Sequence, residues 1–137
     1  MWHEKIVTPE KQRRILAEVI AVYRNMGVRV EYEQKSVPLH SLIATQDAIE
    51  RDKFELVLGM IRGGELEVPV LVEEHYTRER YQRYLIDGHC RTRACLELGQ
   101  RSIPAYVLWS PGGDFKSNFV AVAAEYGNVL VKNLKMV

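Results

Sequence analysis

The chain predicts an α+β fold, and three observations carry that prediction. Segments with apolar residues at i, i+3, i+4 spacing read as amphipathic helices. Between them lie short segments that alternate or run continuously apolar, which read as strands. One of these, Tyr81–Ile86, runs through Asp87-Gly88 straight into a helical pattern, Arg91–Leu98, so a strand, a glycine turn and a helix start fall within a few residues.

In chain order, Thr8-Pro9-Glu10 supplies an N-cap, a proline for the first helical position and an acid for the first turn. Ile15, Leu16, Val19, Ile20, Tyr23 and Met26 then form one apolar stripe, and Gly27 is placed to end the helix. The face opposite carries Arg13, Arg14, Glu18 and Arg24, open to water or to a second copy of the chain. Val28, Val30 and Tyr32 alternate with charged residues, the period of a half-buried strand. Leu39, Leu42 and Ile43 read as a turn docking on the core, followed by a polar loop, Ala44-Thr45-Gln46-Asp47, which either caps a helix or faces a ligand. The second helix is expected over about 50–62, with Phe54, Val57, Leu58 and Ile61 inward and Gly63-Gly64 as its stop. Val68–Val72 predicts a short apolar strand, Glu73–Arg80 a charged hairpin connection and Tyr81–Ile86 the return strand. Ser102–Trp109 alternates as another strand, and Ser110-Pro111-Gly112-Gly113 marks a turn. Asp114 is expected to cap a last helix with Phe115, Phe119, Val122, Ala123 and Tyr126 on one face, and Val129–Val131 to form a terminal strand.

Length and composition set the class. The chain has 137 residues, enough for one compact domain with a core of its own. The net charge of +1 gives no global drive toward nucleic acid or an anionic membrane. Basic residues nevertheless outnumber acids about two to one between Arg78 and Arg101. Cys90 and Cys95 are five apart on one helix, off a common face, which argues against a disulfide, and neither belongs to a zinc-ligand pattern. No metal site is expected. No long apolar run or leader pattern is present, so a cytoplasmic setting is expected, with no membrane partner.

The turn Ile86-Asp87-Gly88-His89-Cys90-Arg91 concentrates the chemistry. A helix start leaves several backbone N–H groups without internal partners and carries partial positive charge. A close-approach glycine, an imidazole and a guanidinium at that point suit an anion such as phosphate. Two structural alternatives remain at this level: Asp87 as a cap for the helix, and Arg91 paired with Asp87 or a neighbouring glutamate.

The order of elements adds to this. Val37-Pro38-Leu39-His40-Ser41-Leu42, a polar loop and helix, the strand Val68–Val72, Leu85-Ile86-Asp87 leading to Gly88-His89-Cys90-Arg91-Thr92-Arg93-Ala94, and Ile103-Pro104-Ala105-Tyr106-Val107 together resemble the ParB/sulfiredoxin superfamily. The nearest flavour is the archaeal ParB-like group with an Asp-Gly-His-His-Arg motif, which includes free serine kinases. The resemblance covers residues 36–108, with 1–35 as an N-terminal helix and strand extension and 109–137 as a C-terminal helix and tail of one domain. It implies a small mixed sheet flanked by helices.

It also implies nucleotide binding, of ATP or ADP with Mg, through Gly88, His89, Cys90 and Arg91. A phosphotransferase acting on a small hydroxyl-bearing acceptor such as serine would place its acid in the first loop, nearest Asp47, with Gln46 one residue away and Thr45 beside it. His89 would contact a phosphate or stabilise charge, and Asp87 would lie near the site. Relative to sulfiredoxins, whose turn reads Gly-Gly-Cys-His-Arg, the Cys and His are exchanged here. Cys90 at a helix start beside Arg91 is then either a thiol of lowered pKa or a small core residue, and Cys95 is expected in the core. The double-arginine box of chromosome-segregation ParB proteins is absent. The alternative partner is DNA, in a binding module or ParB-like nuclease whose Arg78, Arg80, Arg83, Arg93 and Arg101 would track phosphates.

Overall fold

The structure, a computed structural model, describes residues 6–77, 80–111 and 117–137. Helix α1, Pro9–Asn25, begins as its cap predicts, with the Lys11 N–H donating to Thr8 Oγ1 at 3.1 Å. Strand β1, Glu31–Pro38, is followed by the two-residue β2, Ala48–Ile49, and by helix α2, Arg51–Arg62. Strands β3, Val70–Thr77, and β4, Arg80–Asp87, lead into helix α3, His89–Glu97. Strand β5, Ser102–Trp109, helix α4, Asn118–Glu125, a 3-10 turn, Val131–Asn133, and β6, Lys135–Met136, complete the chain.

The main sheet has the order β1-β5-β3-β4, with β3 and β5 parallel and the other two pairs antiparallel. It is the small mixed sheet flanked by helices that the sequence predicts. The apolar run at the start of β3 explains its central place: a strand covered on both faces needs apolar residues on both. Val70 and Val72 face the larger core with Val57, Leu85 and Val107, while Leu71 faces the opposite way with Leu16, Ile20, Tyr23 and Leu108. Helix α1 therefore covers one face, and α2 with α3 packs against the other.

Four expectations are corrected. The first strand is not Val28–Tyr32: it starts at Glu31, opposite Trp109, and ends at Pro38, opposite Ser102. A strand exists only where a partner supplies its ladder, and β5 ends at Trp109. Tyr32 lies within β1, opposite Leu108, and is exposed rather than half-buried. Next, the charged stretch after Val72 is strand rather than connection up to Thr77, and both Glu73 and Glu74 are buried. Helix α4 starts at Asn118 with Ser117 as its N-cap; the expected cap, Asp114, and Phe115 lie outside the described residues. Tyr126 is exposed, as is Met26 at the end of α1. Last, Val129–Val131 is no strand. Leu130 makes a single bridge to Ile43, and the chain then turns so that β6 pairs in parallel with β2. Arg93 fixes that turn by donating through Nη1 to the carbonyls of Leu134 at 2.7 Å and Val131 at 3.2 Å.

Candidate functional site

Strand β4 delivers Asp87 and then Gly88, whose φ of 108° lies in the left-handed region. A Cβ there would sit 2.4 Å from Val70 Cγ1 and 2.9 Å from Val70 Cβ. The glycine is thus required by the close passage of the turn over β3 as well as by its own backbone. Gly88 is the N-cap of α3 and no side chain caps that end. The alternative of Asp87 as a cap is therefore not what the structure has. The N–H groups of His89, Cys90 and Arg91 occupy the first turn, where intrahelical partners do not exist.

His89 is buried, and its Nε2 lies 3.1 Å from the Thr45 N atom. A backbone N–H can only donate, so Nε2 carries the lone pair and the neutral ring has its proton on Nδ1. Burial pushes the imidazole pKa from 6.5 down to about 3, and the charges of Lys53 and Arg91 add to the shift. The ring is therefore neutral over the physiological range. Thr45 Oγ1 in turn donates to the Leu85 carbonyl at 2.7 Å. Ile43 exchanges hydrogen bonds with β4 through Arg83 O and Leu85 N–H. The first loop is stitched along the strand that ends in the motif, and His89 is one of its fasteners.

Arg91 is buried, with its side chain 7% exposed. Its Nη1 donates to the carbonyls of Val68 at 2.9 Å and Pro69 at 3.0 Å, and its Nη2 to Gln12 Oε1 at 2.6 Å. The carboxylate of Asp87 lies at 3.4 Å and is itself half-exposed. Three of its four acceptors are neutral, and the fourth, the half-exposed Asp87 carboxylate, is the most distant. Burial lowers its pKa and Asp87 opposes that, but an arginine stays protonated under all ordinary conditions. Of the two structural alternatives open in the sequence, the Arg91–Asp87 contact is the one present.

Cys90 is buried as well. Burial pushes its thiol pKa up, and Glu50 adds to this against the opposing charges of Lys53 and Arg91. The lowering expected from a helix start beside an arginine is thereby reversed: removal from water outweighs the nearby cations. Cys95 lies in the core, and both cysteines are free.

These residues converge on a cleft of about 370 Å³. Asp87, Gly88, His89, Cys90 and Arg91 form its floor, and Gln46 and Asp47 its rim. Gln46 turns its amide back to the Ala48 carbonyl at 2.7 Å, whereas Asp47 is exposed at the mouth. Thr45 does not line the cleft and acts from behind, on His89. Ile6, Val57 and Leu66 supply an apolar wall, and Val137 reaches the cleft because its backbone brackets Ile49 and Arg51. Two residues are brought in that sequence reasoning missed, Glu50 and Lys53, both at the start of α2. Lys53 left a signal: a lysine in the first turn of a helix opposes the dipole, so a position of that kind invites another explanation. Among the described residues no three His, Cys, Asp or Glu groups are placed to hold a metal ion. Nor is any helix there long and apolar enough to cross a membrane.

Of the five arginines of the expected stripe, the side chains of Arg83, Arg93 and Arg101 are described, and Arg83 and Arg93 are engaged separately. Arg83 Nε donates to Glu74 Oε2 at 2.9 Å and the guanidinium stacks over Tyr81. Arg93 holds the C-terminal turn, and Arg101 is exposed on the far side of α3 in sequence. Arg78 lies outside the described residues.

No protein-family model matches the chain. An uncharacterized protein of Methanocaldococcus jannaschii, MJ0188, is 28% identical over 102 residues, which are 74% of this chain and 36% of that protein. The chain thus spans about a third of the length of this curated relative. A solved structure of protein Atu1540 from Agrobacterium tumefaciens superposes with a TM-score of 0.51 at 19% identity, covering 72% of this chain and 50% of that one. A Pnob8-like ParB-N domain gives 0.47 at 18% identity, over 66% of this chain and 33% of that one. Sulfiredoxin from Arabidopsis thaliana gives 0.43 at 23%, over 55% and 83%. The chain's structural neighbours include a ParB-N domain and a sulfiredoxin. At 19% identity the likeness to Atu1540 is one of fold.

Proposed function

We propose that the cleft at the start of α3 binds the phosphates of a nucleotide, ATP or ADP, and that the chain transfers a phosphoryl group to a small hydroxyl-bearing acceptor such as serine. One observation carries this reading: a buried guanidinium held mainly by neutral acceptors lies at the floor of a cleft beside a helix N-terminus and a lysine. Buried charge is normally answered by opposite charge. Here an anionic ligand would supply it, with the first N–H groups of α3 and Lys53 as further donors. The volume suits a small ligand, and the wall of Ile6, Val57 and Leu66 offers an apolar surface for its remainder.

In the transfer the acceptor oxygen forms a bond to phosphorus as the bond to the leaving nucleotide oxygen breaks, and the acceptor proton passes to a carboxylate. Asp47, exposed at the rim, is the group assigned to take it. His89 acts as a neutral donor through Nδ1 and as the fastener of the loop carrying Asp47. Magnesium of the kind held by phosphates and one or two carboxylates fits Asp47 and Asp87 on the same cleft. Grouping with the archaeal Asp-Gly-His-His-Arg relatives belongs to the same proposal. Calorimetric titration of ATP, ADP and CTP with magnesium tests it, followed by a screen for phosphoserine formed from serine. Binding weakened about tenfold by Lys53→Gln, a change of 1.4 kcal/mol, is the expected result. No binding of any nucleotide by the unaltered chain would overturn the reading.

A further inference from the structure

Gln12 lies on the inward face of α1, in line with Leu16, Ile20 and Tyr23, and none of its surface is exposed. An amide at such a place is costly unless both ends are bonded. Its Oε1 accepts the shortest of the Arg91 hydrogen bonds, at 2.6 Å. Its Nε2 has no hydrogen-bond partner among the described residues. The packing of α1 alone would be better served by leucine or methionine, so the amide is explained by what its oxygen does. The four acceptors around Arg91 come from three parts of the chain: Val68 and Pro69 before β3, Asp87 at the end of β4, and Gln12 from α1. Gln12 is the one of these that reaches from a helix outside the resemblance to ParB and sulfiredoxin.

The choice of a neutral acceptor matters. A carboxylate at this point would pair with the guanidinium and cancel its charge. An aliphatic residue would leave Nη2 with only the more distant Asp87 carboxylate, at 3.4 Å, and the fork less firmly placed. An amide oxygen fixes the position of the fork and leaves its charge to act across the cleft.

We infer that Gln12 is a positioning residue of the anion site: α1 holds Arg91 in place without neutralising it, so the N-terminal helix and the glycine turn build the site jointly. This rests on the phosphate-binding reading above.

The test uses the full chain, with ATP and inorganic pyrophosphate as probes in calorimetry and thermal melting alongside. Gln12→Glu should melt at or above the unaltered chain, because the new carboxylate pairs with Arg91. It should nevertheless bind both probes about tenfold or more weakly, because a second carboxylate beside Arg91 opposes an anion in the cleft. Gln12→Leu should weaken both melting temperature and affinity. A residue with a purely structural role would not drive the two measurements in opposite directions in Gln12→Glu. Unchanged affinity in a folded Gln12→Glu chain would overturn the inference and leave the phosphate reading standing. A Gln12→Glu chain that fails to fold would overturn the premise that the Asp87 carboxylate leaves room for a second negative charge at Arg91. If the unaltered chain binds neither probe, the phosphate reading falls, and this inference with it.

Discussion

Two buried polar clusters on the same sheet solve the problem of buried charge in opposite ways. In the middle of β3, Glu73 and Glu74 are 1% and 6% exposed and point to opposite faces. Glu73 accepts from the Tyr23 hydroxyl at 2.6 Å and meets His75 Nε2 at 2.5 Å. Burial, with the Glu73 charge behind it, pushes the Tyr23 pKa up, so the phenol keeps its proton and remains a donor. Glu74 is answered by Arg83 at 2.9 Å and Lys35 at 3.5 Å. At the end of β4, by contrast, Arg91 is held by two carbonyls and an amide oxygen, with Asp87 more distant. In the first cluster each carboxylate has its own set of donors, Tyr23 and His75 on one face and Arg83 and Lys35 on the other, which tie α1, β4 and β1 to β3. The second fixes the position of a cation mainly through neutral acceptors, with one more distant carboxylate, beside a cleft. Burial of charge alone therefore does not mark a site; on the proposed reading, a buried cation that borders a cleft does.

That contrast can be broken by substitution. The largest effect is expected at the turn. Gly88→Ala forces a positive φ on alanine and drives its Cβ into Val70, at a cost of about 2–5 kcal/mol from the two terms together. Urea denaturation measures it; a loss under about 1 kcal/mol would mean the turn moves freely. Tyr23→Phe removes a donor from buried Glu73 and should cost about 1–3 kcal/mol while leaving nucleotide affinity alone. A loss of affinity there would show that the two clusters are not independent.

His89 gives a pH signature. Its folded pKa, about 3, lies below the ordinary 6.5, so the unfolded chain takes up this proton first. Its contribution is greatest above pH 6.5 and is lost as pH falls through the window toward 3. The slope reaches about 1.4 kcal/mol per pH unit. Stabilities measured between pH 7 and 4 should show this slope in the unaltered chain and a reduced one in His89→Gln; equal slopes would contradict the buried neutral ring. The smallest stability effect belongs to Lys53→Gln, within about 0.5 kcal/mol for a partly exposed position. Its expected loss of nucleotide affinity is what separates the cleft from the β3 network.

Much of the fold was legible because local rules and tertiary packing agree. Thr8-Pro9 and Gly27 bracket α1 as expected, and Gly99 ends α3 through hydrogen bonds from Gly99 N to Leu96 O and from Gln100 N to Cys95 O. The failures cluster where pairing partners decide. Glu73 and Glu74 read as a solvated connection because their donors, Tyr23, His75, Lys35 and Arg83, come largely from other elements. The C-terminal pairing of β6 with β2 was invisible because two-residue strands carry no periodicity.

The sequence by itself determined the strand–glycine–helix turn, the apolar faces of the helices and a short apolar strand at the start of β3, since each follows from neighbours along the chain. It also named the residues around the cleft floor, Asp87 to Arg91, and the rim residues Gln46 and Asp47. Only the tertiary structure decided what those residues are. It neutralised His89 by burying it and raised Cys90 rather than lowering it. It bound Arg91 to Gln12 across 79 positions of sequence and brought Lys53 to the same cleft. The physical reason is that protonation and charge compensation depend on solvent exclusion and on partners distant in sequence, neither of which a residue's neighbours along the chain specify.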